Sequence, residues 1–206
     1  MAELPHDVAM ATAGAPAAAA ASASARERGF GGKLWFWLPW PVLVVADLWS
    51  KALVFDHLER TKPPGLVLEH YQPTVFDTAV LKFQLVGWGN PGTIWGLLPN
   101  ATVVLMVVRC FAVVGLFWFL RNTPRAAKLQ QFVLGLVLAG AIGNLYDNFT
   151  RADRTVRDFL RFSGTWPLEW GFPAFNVADS CITVGAIGLF LLLWRDDRAA
   201  AKKKVS

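Results

Sequence analysis

The stretch that decides the fold is Ala101–Leu120, ATVVLMVVRCFAVVGLFWFL, in which Arg109 is the single charged residue. A stretch of this length can cross about 30 Å of hydrocarbon as an α-helix, because each residue adds about 1.5 Å. Three further apolar stretches have a similar length: Leu34–Phe55, Leu129–Tyr146 and Ala174–Trp194. The sequence therefore predicts an all-α membrane protein with four transmembrane helices.

The composition agrees with a membrane protein and excludes several other classes. Hydrophobic residues make up 54% of the 206 residues and charged residues only 17%, whereas soluble domains average about 25% charged residues. The two cysteines lie inside apolar runs, which excludes a secreted disulfide scaffold, and the apolar content excludes a disordered chain. The net charge of +5 would permit nucleic-acid binding, but so apolar a chain leaves little surface for it, and we expect no nucleic-acid partner.

The distribution of Lys and Arg predicts the orientation of the spans. Segments 1–33, 121–128 and 195–206 together carry eleven of these residues, whereas segments 56–100 and 147–173, which together contain more residues, carry seven. Positively charged loops stay in the cytoplasm. We therefore expect both chain ends inside the cell and both long connections outside.

The flanks of the membrane domain differ from it in composition. Residues 1–33 are Ala-rich, and they lack both the positively charged start and the strongly apolar middle of a secretory signal. We expect three parts: a flexible cytoplasmic tail (1–33), a membrane domain (34–194) and a basic cytoplasmic tail (195–206).

The connection 56–100 contains strand and turn signals. Lys82–Leu85 alternates polar and apolar residues, as a half-buried strand does, and Asn90-Pro91-Gly92 predicts a turn. A second apolar run, Thr93–Leu98, follows the turn. These patterns predict a small β-sheet or hairpin between the first two helices, lying against the outer membrane surface.

Charged side chains inside the predicted spans are candidates for function, because charge in lipid is costly. Asp47 and Lys51 lie four residues apart on one helix face, in the order that favours an ion pair. A structural pair and a catalytic role both remain open for them. Ser50 does not form a catalytic dyad with Lys51, since adjacent helical residues point about 100° apart. Arg109 shows no obvious partner, and we assign it no role.

Two aspartates, Asp158 and Asp179, are expected near the external face, before and at the start of the fourth span. Asn144 and Asp147 reach the same face from the third span, and Asn176 lies about one helical turn from Asp179. Two carboxyl groups in a poorly solvated site share a proton, so one can activate water while the other polarises a carbonyl, as in aspartic peptidases. Solvated charge, or capping of the fourth helix by Asp179, explains the same residues without catalysis.

Other chemistries lack their motifs. His6, His57 and His70 have no metal-ligand spacing, and the sequence contains no HExxH, CxxC or phosphate-binding glycine loop. We therefore expect neither a metal ion nor an organic cofactor.

Five short motifs occur in order along the chain. They are DLWSK at Asp47–Lys51, NPGTIWG at Asn90–Gly96, GNLYD at Gly143–Asp147, VRDF at Val156–Phe159 and FNVADS at Phe175–Ser180. In this combination the chain resembles lipoprotein signal peptidase, also called prolipoprotein signal peptidase or signal peptidase II, of aspartic peptidase family A8.

The resemblance implies an aspartic endopeptidase with Asp158 and Asp179 as its catalytic pair. It implies substrate-binding or dyad-supporting roles for seven further residues: Asn90, Gly92, Asn144, Asn176, Asp47, Lys51 and Asp147. It also implies a multi-pass protein of the bacterial cytoplasmic (inner) membrane, with its active site at the external face. The substrate would be a prolipoprotein whose lipobox Cys carries diacylglycerol, cleaved just before that Cys. Contact with membrane lipids and inhibition by globomycin are further expectations.

One departure from the family pattern concerns the third-span motif. The family has Arg directly after the aspartate of G-N-x-x-D, whereas this chain has Asn148 after Asp147. Arg151 or Arg154 could supply the missing guanidinium, and the sequence alone does not choose between them.

Two other functions compete with the peptidase. A proton-coupled transporter could use Asp47, Lys51 and Asp179 as a relay, although such proteins usually show repeated halves and the chain shows no internal repeat. A non-catalytic membrane protein could keep the fold and only bind lipoprotein precursors. We place both below the peptidase.

Overall fold

The computed structural model describes residues 29–78, 80–91 and 102–205. Within them, four helical segments are long and apolar enough to cross a membrane: Leu34–Thr61, Thr102–Asn122, Lys128–Thr150 and Val177–Ala199. The prediction of four spans is therefore confirmed. The helices extend beyond the apolar runs because polar residues continue the same backbone hydrogen bonding past the lipid boundary.

The helices are numbered α1 to α5 in chain order. They are α1 (Leu34–Trp37), α2 (Pro39–Thr61), α3 (Thr102–Asn122), α4 (Lys128–Thr150) and α5 (Val177–Val205). The first span consists of α1 and α2, separated at Leu38 just before Pro39, whose ring nitrogen has no hydrogen to donate.

Helix α4 is the centre of the bundle. In the most apolar 18-residue segment of α4, 61% of the residues are buried inside the protein, whereas in the corresponding segments of the other three spans 17% or fewer are buried. Glycines allow neighbours to approach it closely. A Cβ on Gly140 would overlap the carbonyl oxygen of Ala178 on α5, and one on Gly135 would lie 3.0 Å from the carbonyl oxygen of Phe36 on α1. The first span and α5 therefore pack directly against the α4 backbone.

The end of the predicted N-terminal tail is fixed to the bundle. The backbone N–H of Gly29 donates to the carbonyl of Arg121 at 3.1 Å. The buried ammonium of Lys33 donates to the carbonyls of Leu120 and Arg121, which end α3. Residues 1–28 of the predicted flexible tail lie outside the described residues.

A four-stranded antiparallel sheet lies at the other end of the bundle, in the order β1-β2-β3-β4. The strands are β1 (Thr74–Asp77), β2 (Lys82–Asn90), β3 (Val156–Gly164) and β4 (Trp170–Gly171). The predicted strand Lys82–Leu85 falls within β2, so the small sheet is confirmed. The second predicted run, Thr93–Leu98, lies outside the described residues.

The sheet is larger than predicted from the sequence, because it joins the two long connections. Strands β1 and β2 come from the connection between the first two spans, whereas β3 and β4 come from the connection between α4 and α5. The register places Trp88 opposite Asp158 and Asn90 opposite Val156. The sheet thereby positions Asp158 beside the ends of the helices.

Candidate active site

Asp158 is held by β3 and by two amide side chains. Only 2% of the residue is exposed. The Nδ2 of Asn90 donates to Asp158 Oδ2 at 2.8 Å, and the Nδ2 of Asn176 donates to Asp158 Oδ1 at 2.7 Å. Burial and the negative charge of Asp179 raise the pKa of Asp158 to about 7, against the opposing effect of these hydrogen bonds. Asp158 therefore keeps its proton over much of the range in which ordinary aspartates are ionised.

Asp179 lies in the first turn of α5 and takes part in a reciprocal cap with Asn176. The backbone N–H of Asn176 donates to Asp179 Oδ2 at 3.2 Å, and the backbone N–H of Asp179 donates to Asn176 Oδ1 at 2.9 Å. This is the arrangement of a capping box, with Asn and Asp in place of Ser and Glu. The other carboxylate oxygen, Oδ1, accepts a 2.8 Å hydrogen bond from Asn144 Nδ2. Capping by Asp179 thus leaves the same carboxylate in contact with the buried polar cluster.

The amide of Asn176 connects the two acids. Its Nδ2 contacts Asp158 Oδ1, the carbonyl of Arg157 at 3.2 Å and Asn144 Oδ1 at 3.3 Å. Its Oδ1 accepts the backbone N–H of Asp179. One fully buried side chain therefore bridges the strand that carries Asp158 and the helix that carries Asp179.

Lys51 joins α2 to the same cluster. Its buried ammonium lies 2.8 Å from Asp47 Oδ2, 3.2 Å from Asp147 Oδ2 and 3.2 Å from Asn144 Oδ1. Three contacts match the three N–H donors of an ammonium group. Asp47 also accepts the backbone N–H of Ala178 at 2.9 Å, which satisfies a free donor at the start of α5. The predicted ion pair of Asp47 and Lys51 is thus present, and it ties three helices together.

Asp147 connects α4 to β3 through Arg157. The guanidinium of Arg157 donates to Asp147 Oδ1 from Nε at 3.0 Å and from Nη2 at 2.6 Å, and its backbone N–H donates to Oδ2 at 3.0 Å. This forked contact fixes the backbone directly before Asp158. Arg157 belongs to the VRDF motif, but no role was predicted for it. The sequence feature that could have indicated a role for Arg157 was its position after Asp147 and directly before Asp158.

The guanidinium that contacts Asn148 belongs to Arg109, and not to Arg151 or Arg154 as predicted from the sequence. The Nη1 of Arg109 on α3 donates to Asn148 Oδ1 at 2.6 Å. Arg154 contacts Asn148 only through its backbone carbonyl, which accepts from Asn148 Nδ2 at 2.6 Å, and Arg151 pairs with Asp153. The available signal for Arg109 was its charge within an apolar span, which predicts a functional position.

The structure brings most of the predicted site residues together at the sheet end of the bundle. Contacts already described connect eight of them: Asn90, Asp158, Asn176, Asn144, Asp179, Lys51, Asp47 and Asp147. Gly92 lies outside the described residues. Ser50, discounted as a partner of Lys51, donates to the carbonyl of Asp47 at 2.9 Å.

Comparisons with known proteins show the family to which the chain is similar. The family model for signal peptidase (SPase) II matches residues 40–195. The lipoprotein signal peptidase of Halalkalibacterium halodurans is 31% identical over 79% of this chain and 94% of its own length. That of Bacillus subtilis is 30% identical over 79% of this chain and 93% of its own length. That of Symbiobacterium thermophilum is 41% identical over 54% of this chain and 70% of its own length.

Two solved structures share the fold. A bacterial membrane enzyme solved by the in meso method at 2.3 Å resolution has a TM-score of 0.58 and 22% identity, covering 76% of this chain and 85% of its own. A second, solved at 1.9 Å, has a TM-score of 0.56 and 22% identity, covering 75% and 89%. The family match extends over most of the chain and includes both candidate aspartates, and the protein therefore belongs to the signal peptidase II family of membrane peptidases.

Proposed function

We propose that this protein is an aspartic endopeptidase of the bacterial inner membrane, which removes the signal peptide from diacylglyceryl-modified prolipoproteins. Cleavage falls just before the lipidated Cys, and Asp158 and Asp179 are the catalytic residues. The observation that carries the proposal is a pair of acids that share one buried amide, Asn176, with the pKa of Asp158 raised to about 7. Raised carboxyl pKa values in a polar cluster are typical of acid–base catalysis.

The charges around the pair support a single shared proton. The site contains four carboxyl groups and three cations: Asp47, Asp147, Asp158, Asp179, Lys51, Arg157 and Arg109. With one proton on the pair of Asp158 and Asp179, three negative charges face three positive charges. A neutral total is favourable in a buried site, because uncompensated charge is costly there.

This protonation state allows acid and base catalysis in the same step. The ionised carboxyl takes a proton from water as the water oxygen attacks the carbonyl carbon, and the protonated carboxyl donates to the carbonyl oxygen. When the tetrahedral intermediate breaks down, the carbon–nitrogen bond cleaves and the leaving nitrogen receives a proton from the carboxyl that was protonated by water. A hydroxyl of the intermediate returns its proton to the other carboxyl as the new carboxylic acid forms, which restores the single proton of the pair. The lipidated Cys then carries the new amino terminus.

The location of the site suits such a substrate. A lipidated precursor is a membrane helix with acyl chains at its outer end, so its scissile bond lies near the membrane surface. The acids lie where the spans meet the sheet. The distribution of Lys and Arg supports an orientation with that end outside the cytoplasm and both chain ends inside. We propose the membrane domain of residues 34–194 as the catalytic unit, with the tails 1–33 and 195–206 outside it.

The test uses the purified full-length protein in detergent with a diacylglyceryl-modified precursor. We expect cleavage by the wild type, inhibition by globomycin, and a loss of more than about 1,000-fold in Asp158→Asn and Asp179→Asn, since each lacks a group needed for proton transfer. Asp56→Asn is the matched control, because Asp56 is exposed and pairs with Arg60 at the end of α2, and it should retain full activity. Precursor binding without turnover by the wild type would contradict the proposal.

A further inference from the structure

Arg109 is an isolated charge in an otherwise apolar span. It lies seven residues into α3, about 10 Å along the helix from Thr102, and the rest of that span is uncharged up to Arg121. A guanidinium at this depth is costly unless it reaches polar partners. It reaches Asn148, two residues before the end of α4 at the sheet end of the bundle. The side chain therefore extends from lipid depth toward the polar cluster.

The partner of Arg109 is neutral, although carboxylates are nearby. Asp147 is engaged by Lys51 and Arg157, and Asp47 is engaged by Lys51 and a backbone N–H. Within the described residues Arg109 forms no ion pair, and its one hydrogen bond uses one of five N–H donors. The network that holds the bundle together thus leaves this guanidinium with unused donors.

Arg109 borders the two catalytic acids. Asn148 lies one helical turn from Asn144, whose Nδ2 donates to Asp179. The guanidinium lies within electrostatic reach of both Asp179 and Asp158, yet it donates to neither in the structure. Its orientation is fixed in turn by Asn148, which donates to the carbonyl of Arg154. A clamped cation with free donors is therefore placed next to the proposed reaction centre.

We propose that Arg109 is a substrate-binding residue whose guanidinium donates to a carbonyl oxygen of the lipidated precursor. This inference rests on the proposed function. At this depth the precursor presents two kinds of strong acceptor, peptide carbonyls flanking the scissile bond and ester carbonyls of the diacylglyceryl group. Both are neutral and therefore cheap to desolvate, and a guanidinium in a poorly solvated site binds such oxygens strongly.

The primary test measures kcat and KM separately for Arg109→Gln and Arg109→Lys with the diacylglyceryl-modified precursor. For Arg109→Gln we expect KM to rise about 10-fold to 100-fold, as for loss of a charge-assisted hydrogen bond. Because loss of this charge also shifts the pH profile, kcat is compared at the pH optimum of each variant, where it should stay within about threefold of the wild type. Arg109→Lys keeps the charge but loses the fork of donors, so its KM should lie between the KM of the wild type and that of Arg109→Gln. Arg121→Gln, at the far end of α3, is the control and should leave both parameters unchanged.

A second arm identifies the acceptor by replacing the two ester linkages of the precursor with ethers. If the ester carbonyl is the acceptor, wild type and Arg109→Gln will have the same KM on the ether substrate. If a peptide carbonyl is the acceptor, the KM ratio will be the same on both substrates.

Different results would contradict the role of Arg109 and the peptidase activity itself. An unchanged KM in both Arg109 variants, or a fall in kcat alone, would overturn the role of Arg109 while leaving the peptidase intact. Absence of cleavage by the wild type would instead contradict the proposed function. Should Arg109→Gln fail to fold, as judged by thermal unfolding, Arg109→Lys decides the question, because it retains the buried charge.

Discussion

At the scale of single residues, Asn176 combines two roles that are usually separate. Its carbonyl oxygen caps α5 by accepting the backbone N–H of Asp179, and its amide nitrogen donates to Asp158. The cap fixes the side chain relative to α5, so the donor for Asp158 is positioned by the start of the helix itself. A residue that caps α5 and binds the proposed catalytic acid on β3 sets the separation between these two elements.

Replacing Asn176 tests this double role. In Asn176→Ala the carboxylate of Asp158 loses a donor that stabilises its charged form, so the pKa of Asp158 rises further above its ordinary value. We expect kcat/KM to fall roughly 100-fold, as on removal of a preorganised donor, and the alkaline limb of its pH profile to move to higher pH. The measurement is a pH–rate profile in detergent.

Asn122→Ala is the control for this experiment, because Asn122 lies at the end of α3 that is far from the acids, where it donates to the carbonyl of Trp118. It should leave the pH profile unchanged. A profile of Asn176→Ala that keeps the wild-type limbs, whatever its height, would contradict a direct effect of the amide on Asp158.

The raised pKa of Asp158 also predicts a pH dependence of stability. Its carboxyl binds a proton in the folded protein up to about pH 7, whereas in the unfolded chain it releases it near its ordinary value of 3.8. The folded state therefore binds more protons between these values, and stability falls as pH rises through this window. Asp158→Asn has no proton to lose, so its unfolding temperature should exceed that of the wild type at pH 8 and approach it at pH 4.

Thermal unfolding in detergent at several pH values measures this difference. Asp77→Asn is a matched control, because Asp77 is exposed on β1 and pairs with Lys82. Equal unfolding temperatures of wild type and Asp158→Asn across the pH range would show that the burial of Asp158 has no energetic consequence.

At the scale of secondary structure elements, the position of α4 depends on residues that have no side chain. A Cβ on Gly143 would overlap Asp47 Oδ2 on α2 and lie 3.2 Å from the Cβ of Ala178 on α5. Gly143 thus lets α4 approach both neighbours at the level of the ion pair between Asp47 and Lys51. The glycine keeps Lys51 in reach of the α4 side chains that it binds.

Gly143→Ala should separate these helices. We expect a loss of about 1–3 kcal/mol of stability, as in other overpacked interiors, and a fall in activity of at least about tenfold as Lys51 moves away from Asn144. Gly115→Ala on α3 is the matched control, because nothing lies within 4 Å of the Cβ position there. The control should be neutral or more stable, since Ala favours helix more than Gly. Similar effects in both variants would contradict a specific role for Gly143.

At the scale of the whole molecule, the features that sequence could predict are the local ones. The four spans follow from runs of apolar residues, so their number was predictable. The structure differs from the prediction only in the residues at which the helices begin and end. Position at a membrane boundary made Asp158 and Asp179 candidates, whereas the family resemblance selected them as a catalytic pair, and that role stays a prediction. The pairing of β2 with β3 was not predictable, because it joins segments that are separated by two spans. In addition, a strand as short as VRDF carries no pattern that indicates which other strand it pairs with.

The contacts of the arginines were missed for the same physical reason. Arg109 reaches Asn148 and Arg157 reaches Asp147 only after α3, α4 and β3 have packed. Spacing along the chain gives no information about such contacts, whereas Asp47 and Lys51 lie one helical turn apart and were found. Partners within one helix are thus visible in a sequence, and partners across helices require the fold.

The orientation of the whole bundle in the membrane is the last prediction. The four spans found within the described residues predict both chain ends on one side, and the excess of Lys and Arg in 1–33, 121–128 and 195–206 favours the cytoplasm for that side. The sheet and the acids then face the exterior, as the proposed substrate requires.

Cysteine labelling tests this orientation in a chain whose Cys110 and Cys181 are replaced by Ala. A membrane-impermeant maleimide should label Asp77→Cys in right-side-out vesicles, and it should label Asp196→Cys only after the membrane is opened. Both positions are exposed, with 55% and 60% of their side chains accessible, so a difference between them reports the side of the membrane rather than burial. The reverse pattern would place the acids in the cytoplasm, where a precursor lipidated at its outer end could not reach them.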